Sequence, residues 1–371
     1  MDIVAKANKL IQASEDVIMM CVGQPSAPAP KTARDAAKVA IDNGRIGYTD
    51  ASGIGPLRVR IAKHYLEQHN VDIDPKRIIV TNGSSCAFTL SFLSIFEIGA
   101  RVAIPSPGYP AYRNILRSLS MEAVEIDTKA QSGWVLTPQL LKEAHALKPL
   151  DGLLIANPNN PNGTMLEASA FKELQETCAQ LGIKFISDEI YHGLTYGQKE
   201  ISALCVSDDC IVINSFSKYF CMTGWRVGWM IVPVNMIVTV NRLQQNLFIC
   251  APEISQIAAL HAFDGLEELE RTKAGYLKNR TLLLENLPKM GLSEIMPVDG
   301  AFYCYANVEA YTQNSESLCA DILANANLAL TPGVDFDSKN GNKWIRLSFA
   351  GSNQDMQKGL ERLGNYLDTK S

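Results

Sequence analysis

The chain has 371 residues, enough at roughly 150 residues per domain for two or three structural units. Lys and Arg total 34 and Asp and Glu 39, a formal charge of −5, and so acidic a chain with dispersed charge is a poor partner for nucleic-acid phosphates. Hydrophobic residues make up 47% and charged residues 20%, which excludes a disordered chain and allows a large core without covalent staples.

Met1 to Leu10 alternates charged and apolar residues. Apolar runs then alternate with helical periodicity from about residue 78 onward, which predicts an α/β sheet with helical crossovers. Arg77 to Thr81 reads as a buried strand and Ser84 to Phe96 as a helix. Arg101 to Ile104 is a second strand, ended by the Pro105-Ser106-Pro107-Gly108 turn, and Gly152 to Ala156 is a third. A helix is predicted over Glu167 to Leu181, then strands at Ile183 to Ser187, Ile211 to Asn214 and Arg226 to Ile231. Beyond residue 265 the texture changes to a long helix, Gly265 to Leu287, short strands around Phe302 to Tyr305 and Trp344 to Phe349, and a final amphipathic helix from Asn353 to Leu367. The expected architecture is α/β, with a large domain (30–264) built on a mostly parallel sheet covered by helices. A smaller α+β domain combines 1–29 with 265–371.

None of the nine cysteines forms a C-x-x-C pair, and the closest are Cys205 and Cys210, so reduced thiols are expected. Met1 to Leu10 lacks the apolar region of a signal peptide, and the longest apolar run, Val227 to Val240, is short for a membrane span and contains Asn235. A cytoplasmic protein without membrane or nucleic-acid partners is expected.

The chain has no Walker-type phosphate loop, no strand-borne G-x-G-x-x-G and no H-E-x-x-H, and its five histidines are dispersed. Metal ligation is therefore not expected. Three features remain. Asn82-Gly83-Ser84-Ser85 lies between a strand and a helix, where backbone amides and hydroxyls can face a phosphate; read alone, the serines are more simply helix caps. Asp188 and Glu189 end an apolar strand, where a carboxylate can point into a ligand crevice or simply into a loop. Lys218, in Ser215-Phe216-Ser217-Lys218, is flanked by small and apolar residues, and a desolvated lysine can form a Schiff base; a lone lysine is ordinarily a solvated group.

The segment Ser215 to Gly228, SFSKYFCMTGWRVG, resembles the lysine signature of class I and II aminotransferases, pyridoxal-phosphate enzymes of the aspartate aminotransferase fold. Cys221 stands where that family usually has another small residue. Other segments resemble the family in the same order along the chain. They are Gly47-Tyr48 with Gly53 to Arg58, Asn82 to Phe88, PSPGYPAY at Pro105 to Tyr112, NPNNPNG at Asn157 to Gly163, SDEIY at Ser187 to Tyr191, and WIRLSFA at Trp344 to Ala350. In NPNNPNG, Asn162 replaces the usual Thr.

The resemblance implies a pyridoxal 5'-phosphate aminotransferase. Lys218 would carry the cofactor and move a proton at the substrate α-carbon. Asp188 would keep the ring nitrogen protonated, and Asn160 and Tyr191 would bond the ring's phenolic oxygen. Tyr109 would stack on the ring, and Ser84, Ser85, Ser215 and Arg226 would bind its phosphate. Arg346 would clamp the substrate carboxylate, with Gly23 allowing close backbone approach. The family further implies a homodimer in which Tyr48 serves the neighbouring active site. Trp225, Trp229, Phe302 and Tyr303 read as core, and Glu189 and His192 as packing or solvated neighbours. Ser85 occupies a position that carries a lysine in some aspartate-type relatives, which favours neutral, apolar or aromatic donors. A carbon–sulfur β-lyase on the same fold stays open. A non-catalytic cofactor-sensing module is disfavoured, since no segment is expected ahead of the fold to carry a DNA-binding partner.

Overall fold

The computed structural model describes residues 2–370. Twelve strands occur in chain order. They are β1 (Ile18–Met19), β2 (Ile78–Thr81), β3 (Arg101–Ser106), β4 (Glu122–Asp127), β5 (Gly152–Ala156), β6 (Lys184–Asp188), β7 (Ile211–Ser215), β8 (Gly228–Ile231), β9 (Tyr303–Asn307), β10 (Leu328–Ala329), β11 (Thr331–Pro332) and β12 (Trp344–Ser348).

Seven of them form one sheet in the order β2-β8-β7-β6-β5-β3-β4. The pairings β3–β4, β3–β5, β5–β6 and β6–β7 are parallel, whereas β8 runs antiparallel to both its neighbours. Side chains alternate across this sheet as a pleat requires. Leu153 and Ile155 join one apolar cluster while Leu154 and Ala156 join the other, and Trp229 and Ile231 divide from Met230 in the same way. Both faces are covered, which is why these strands read as unbroken apolar runs. Helix Ser84–Ile95 covers one face and helix Ala168–Leu181 the other.

The sheet's polarity places the chemistry. Parallel strands bring the segments after β2, β3, β5, β6 and β7 to one edge. The single reversed strand brings its preceding segment to that same edge, so Arg226 meets the turn after β2: Thr81 and Ser215 both lie opposite Gly228.

The remaining strands belong to a smaller unit. An antiparallel sheet of order β11-β12-β9 packs with helices Leu266–Asn286, Ser315–Ala326 and Asn353–Asp368 around its own apolar cluster. The N-terminal segment joins this cluster through Ile3, Ala7, Ile18 and Met20, and β1 pairs in parallel with β10. The run Val227 to Val240 divides into β8, a turn and helix Ile237–Leu247. Among the described residues no helix is long and apolar enough to cross a membrane. All nine cysteines are unpaired, and seven of them are buried.

Candidate active site

A cleft of about 770 Å³ opens at the carboxyl edge of the large sheet, lined from both units. Lys218 lies three residues beyond β7 on its wall, where Nζ donates to the Gly23 carbonyl at 2.6 Å. Burial, then repulsion from Arg346 and Arg226, lowers its pKa to about 8 against the partial support of Asp188. A buried amine of this kind is partly neutral near physiological pH and so is nucleophilic.

Asp188 is the last residue of β6 and is almost fully buried. Its carboxylate accepts from Tyr112 Oη at 2.5 Å and from the Ile190 amide at 3.0 Å. Burial raises its pKa to about 6, opposed by those bonds and by the Lys218 charge. A cationic N–H placed beside it would offset that desolvation.

Arg346 sits in the middle of β12, opposite Tyr305 on one side and Thr331 on the other. Nη1 donates to Asn160 Oδ1 at 2.9 Å, and Nη2 donates to the Cys21 carbonyl at 2.8 Å and to Thr331 Oγ1 at 3.4 Å. The rings of Tyr303 and Phe336 lie 4.3 and 4.5 Å from its guanidinium carbon. Its Nε has no partner, and no carboxylate among the described residues comes within ion-pair distance. A buried guanidinium without a countercharge is costly unless an anionic guest supplies one.

A second anion cradle lies at the large-sheet edge. Gly83, at φ +82°, turns the chain into helix Ser84–Ile95, whose first amides have no acceptor within the helix. Arg226 comes so close that a Cβ on Gly83 would lie 2.6 Å from its Nη2. Ser84, Ser85 and Arg226 line the cleft, and Arg226 is exposed and donates to the Thr223 carbonyl at 3.1 Å. Tyr109, half-buried, flanks the space edge-on to Tyr112 with ring centroids 5.3 Å apart.

These features fit a pyridoxal phosphate: a phosphate-sized cradle of amides, hydroxyls and a guanidinium, a buried carboxylate for a ring N–H, an aromatic wall and a partly neutral lysine. Of the residues singled out from the sequence, the cleft gathers Gly23, Ser84, Ser85, Tyr109, Asn160, Asp188, Tyr191, Lys218, Arg226 and Arg346. Two lie apart. Ser215 is buried behind the wall, donating to the Val227 carbonyl at 3.1 Å and lying 2.8 Å from Ser217 Oγ, and it is Ser217 that lines the cleft. Tyr48 is 83% exposed and is not among the residues lining the cleft of its own chain.

Trp229 and Phe302 are fully buried as core. Tyr303 is buried too, yet it also forms cleft wall, with its hydroxyl 2.9 Å from that of Tyr191. It was read as core because strand alternation does not say which face meets a ligand. Within PSPGYPAY the sequence assigns Tyr112 no role of its own; its spacing from Tyr109, one turn of helix Pro110–Ser118, is the signal that points to it. Glu189 is buried away from the cleft and accepts from Ser202 Oγ and the Ala203 amide, both at 2.9 Å. Asn162, the replacement for Thr, is fully buried and accepts from Asn159 Nδ2 and Thr164 Oγ1, both at 3.0 Å, so the turn keeps its internal bonds.

Residues 15–363 match the family described as aminotransferase class I and II. The valine–pyruvate aminotransferase of Mycobacterium tuberculosis is 41% identical over 374 residues, covering 100% of this chain and 96% of the relative. A crystal structure of an aminotransferase from M. tuberculosis superposes with a TM-score of 0.97 at 41% identity, covering 100% of this chain and 96% of that one. Aspartate aminotransferase from Thermus thermophilus, solved with maleate, superposes at 0.92 with 28% identity, covering 98% and 95%. Family match, fold and cleft agree, and the chain belongs to the class I and II aminotransferases.

Proposed function

We propose that this aminotransferase is pyridoxal-phosphate dependent and moves the amino group of a neutral, apolar or aromatic L-amino acid to a 2-oxo acid by a ping-pong mechanism. The observation that carries this reading is the pairing, in one cleft, of a lysine amine held near pKa 8 with a buried arginine that has no carboxylate partner among the described residues. One cation is suited to bind a substrate carboxylate while the neutral amine works beside it.

When bound, the cofactor supplies an aldehyde for amines and a cationic ring that takes up the electron pair left when the α-proton departs. The chain's residues do the rest. Ser84, Ser85 and Arg226 would hold the phosphate, with Ser217 standing on the wall where Ser215 was expected and the helix N-terminus adding amide donors. Asp188, fixed by Tyr112, would hold the ring N–H, and Tyr109 would cover one ring face. Tyr191 and Asn160 would direct hydrogen bonds to the phenolic oxygen. Arg346 would orient the substrate by its carboxylate, and Lys218 would take and return the proton at the α-carbon.

The side-chain preference is supported by Ile3, Val4, Val22 and Ile190 on the cleft wall and by Ser85 in the phosphate turn. The name of the Mycobacterium relative, valine–pyruvate, falls in the same class. Two apolar clusters, divided for the most part along these bounds, favour reading 30–264 and 1–29 with 265–371 as two domains. Unpaired thiols favour a reducing, cytoplasmic setting. The substrate reading is tested by kcat/KM for a panel of donors with pyruvate as acceptor. Valine, leucine or phenylalanine should exceed aspartate by about tenfold or more, the discrimination expected when an acidic side chain enters an apolar wall. Aspartate as the best donor would overturn it.

A further inference from the structure

Tyr303 stands where three parts of the cleft meet. It opens β9 opposite Ser348 of β12, which makes Arg346 its diagonal neighbour on the same sheet face, within reach of an aromatic ring. The Arg346 guanidinium carbon lies 4.3 Å from its ring centroid. Its hydroxyl lies 2.9 Å from that of Tyr191. The same hydroxyl fills the space beside Gly23, where a Cβ would come within 2.1 Å of it. A residue after β1, one in β12 and one after β6 are thus all referred to a single side chain.

We propose that Tyr303 is a positioning residue with two separable duties: its ring face fixes the plane of Arg346 for a substrate carboxylate, and its hydroxyl fixes the direction of the Tyr191 proton. The inference rests on the roles given above to Arg346 and Tyr191. The bonds to Asn160 and the Cys21 carbonyl grip the guanidinium by its edge, at Nη1 and Nη2. Such edge bonds leave the plane free to tilt, and a ring against the face resists that tilt by cation–π attraction and by contact. Tyr303 is buried, and among the described residues its hydroxyl has one partner, the Tyr191 oxygen. A buried hydroxyl that donates there satisfies its proton and leaves the Tyr191 proton to point into the cleft.

The two duties come apart in two variants, Tyr303→Phe and Tyr303→Leu. Each is measured by steady-state kinetics with an apolar donor and by calorimetric binding of 3-phenylpropionate, a carboxylate with no amine to react. Tyr303→Phe keeps the ring. Its 3-phenylpropionate affinity and KM should stay within about twofold of the parent, while kcat falls about tenfold, the order of one lost hydrogen bond to a reacting centre. Tyr303→Leu should in addition weaken 3-phenylpropionate about tenfold and raise KM in step, as a lost cation–π contact would. If the leucine variant does not fold, the split between kcat and KM in the phenylalanine variant decides alone. Equal proportional losses of kcat and carboxylate affinity in Tyr303→Phe would mean a structural role only, and unchanged values in both variants would remove any role. A parent whose 3-phenylpropionate affinity is untouched by Arg346→Leu would instead contradict the assignment of Arg346 itself.

Discussion

Lys218 and Arg346 are like charges in one cleft, and each is the other's problem. Burial disfavours the charged lysine, Arg346 and Arg226 add to that, and Asp188 opposes it only in part. The consequence is measurable on the amine itself. Labelling of Lys218 in the cofactor-free protein by a small amine-directed reagent should rise with pH through a midpoint of about 8, because only the neutral amine reacts. Arg346→Gln removes one of the charges that lower the midpoint and should move it upward, and a midpoint indifferent to Arg346 would show burial acting alone. At this scale the sequence was informative wherever chemistry and motif coincide, as at Lys218, Asp188 and Arg346. It gives Tyr112 no role and reads Tyr303 only as core, because their roles come from what faces them. Tyr112 reaches Asp188 across 76 residues and Tyr303 reaches Tyr191 across 112, distances that no local pattern encodes.

At the scale of elements, the reversed strand β8 decides the phosphate end of the cleft. Its first residue, Gly228, packs so tightly that a Cβ would lie 2.8 Å from the Asn214 carbonyl oxygen and 3.2 Å from both Gly83 C and Ser84 N. A side chain there must push β8 away from the start of helix Ser84–Ile95 and separate Arg226 from the helix amides. Gly228→Ala should therefore weaken inorganic phosphate binding to the cofactor-free protein by about tenfold, the order of one strained core insertion. Unchanged phosphate affinity, read by calorimetry, would show that the cradle does not depend on this contact. The buried strands were legible because both faces are apolar, and most of their bounds agree with the reading to within one or two residues. The edge strand β4 was not. Its sequence, EAVEID, mixes charge with apolar residues because its outer edge faces solvent, and Arg113 and Arg117 pair with Glu125 there. The direction of β8 was equally hidden, since an apolar run carries no sign of which way it runs.

For the whole molecule, the outstanding question is what Tyr48 does. It is 83% exposed in one chain, and Val39 and Ile41 nearby in sequence are also more than half exposed. A homodimer in which Tyr48 completes the neighbour's cradle accounts for its place outside its own cleft, and symmetric dimers are the commonest assembly. Mixing Lys218→Ala with Tyr48→Phe tests this directly. Each variant alone should be impaired, but re-equilibrated hybrids carry one intact site, so a 1:1 mixture should recover about a quarter of the parental sites by random pairing. No recovery on mixing would place Tyr48 outside the partner's site.

Whether this cleft performs a reversible half-transamination on an apolar amino acid is read from the absorption spectrum of the cofactor-loaded protein. Titration with valine or phenylalanine in the absence of any oxo acid should convert the lysine-bound cofactor band to that of the aminated cofactor in a single turnover. One equivalent of 2-oxo acid should be released, and pyruvate should restore the starting spectrum. Continued release of ammonia and oxo acid while the original band persists would instead make this chain a lyase. A loaded protein with no lysine-dependent band would contradict the assignment of Lys218 and the account built on it.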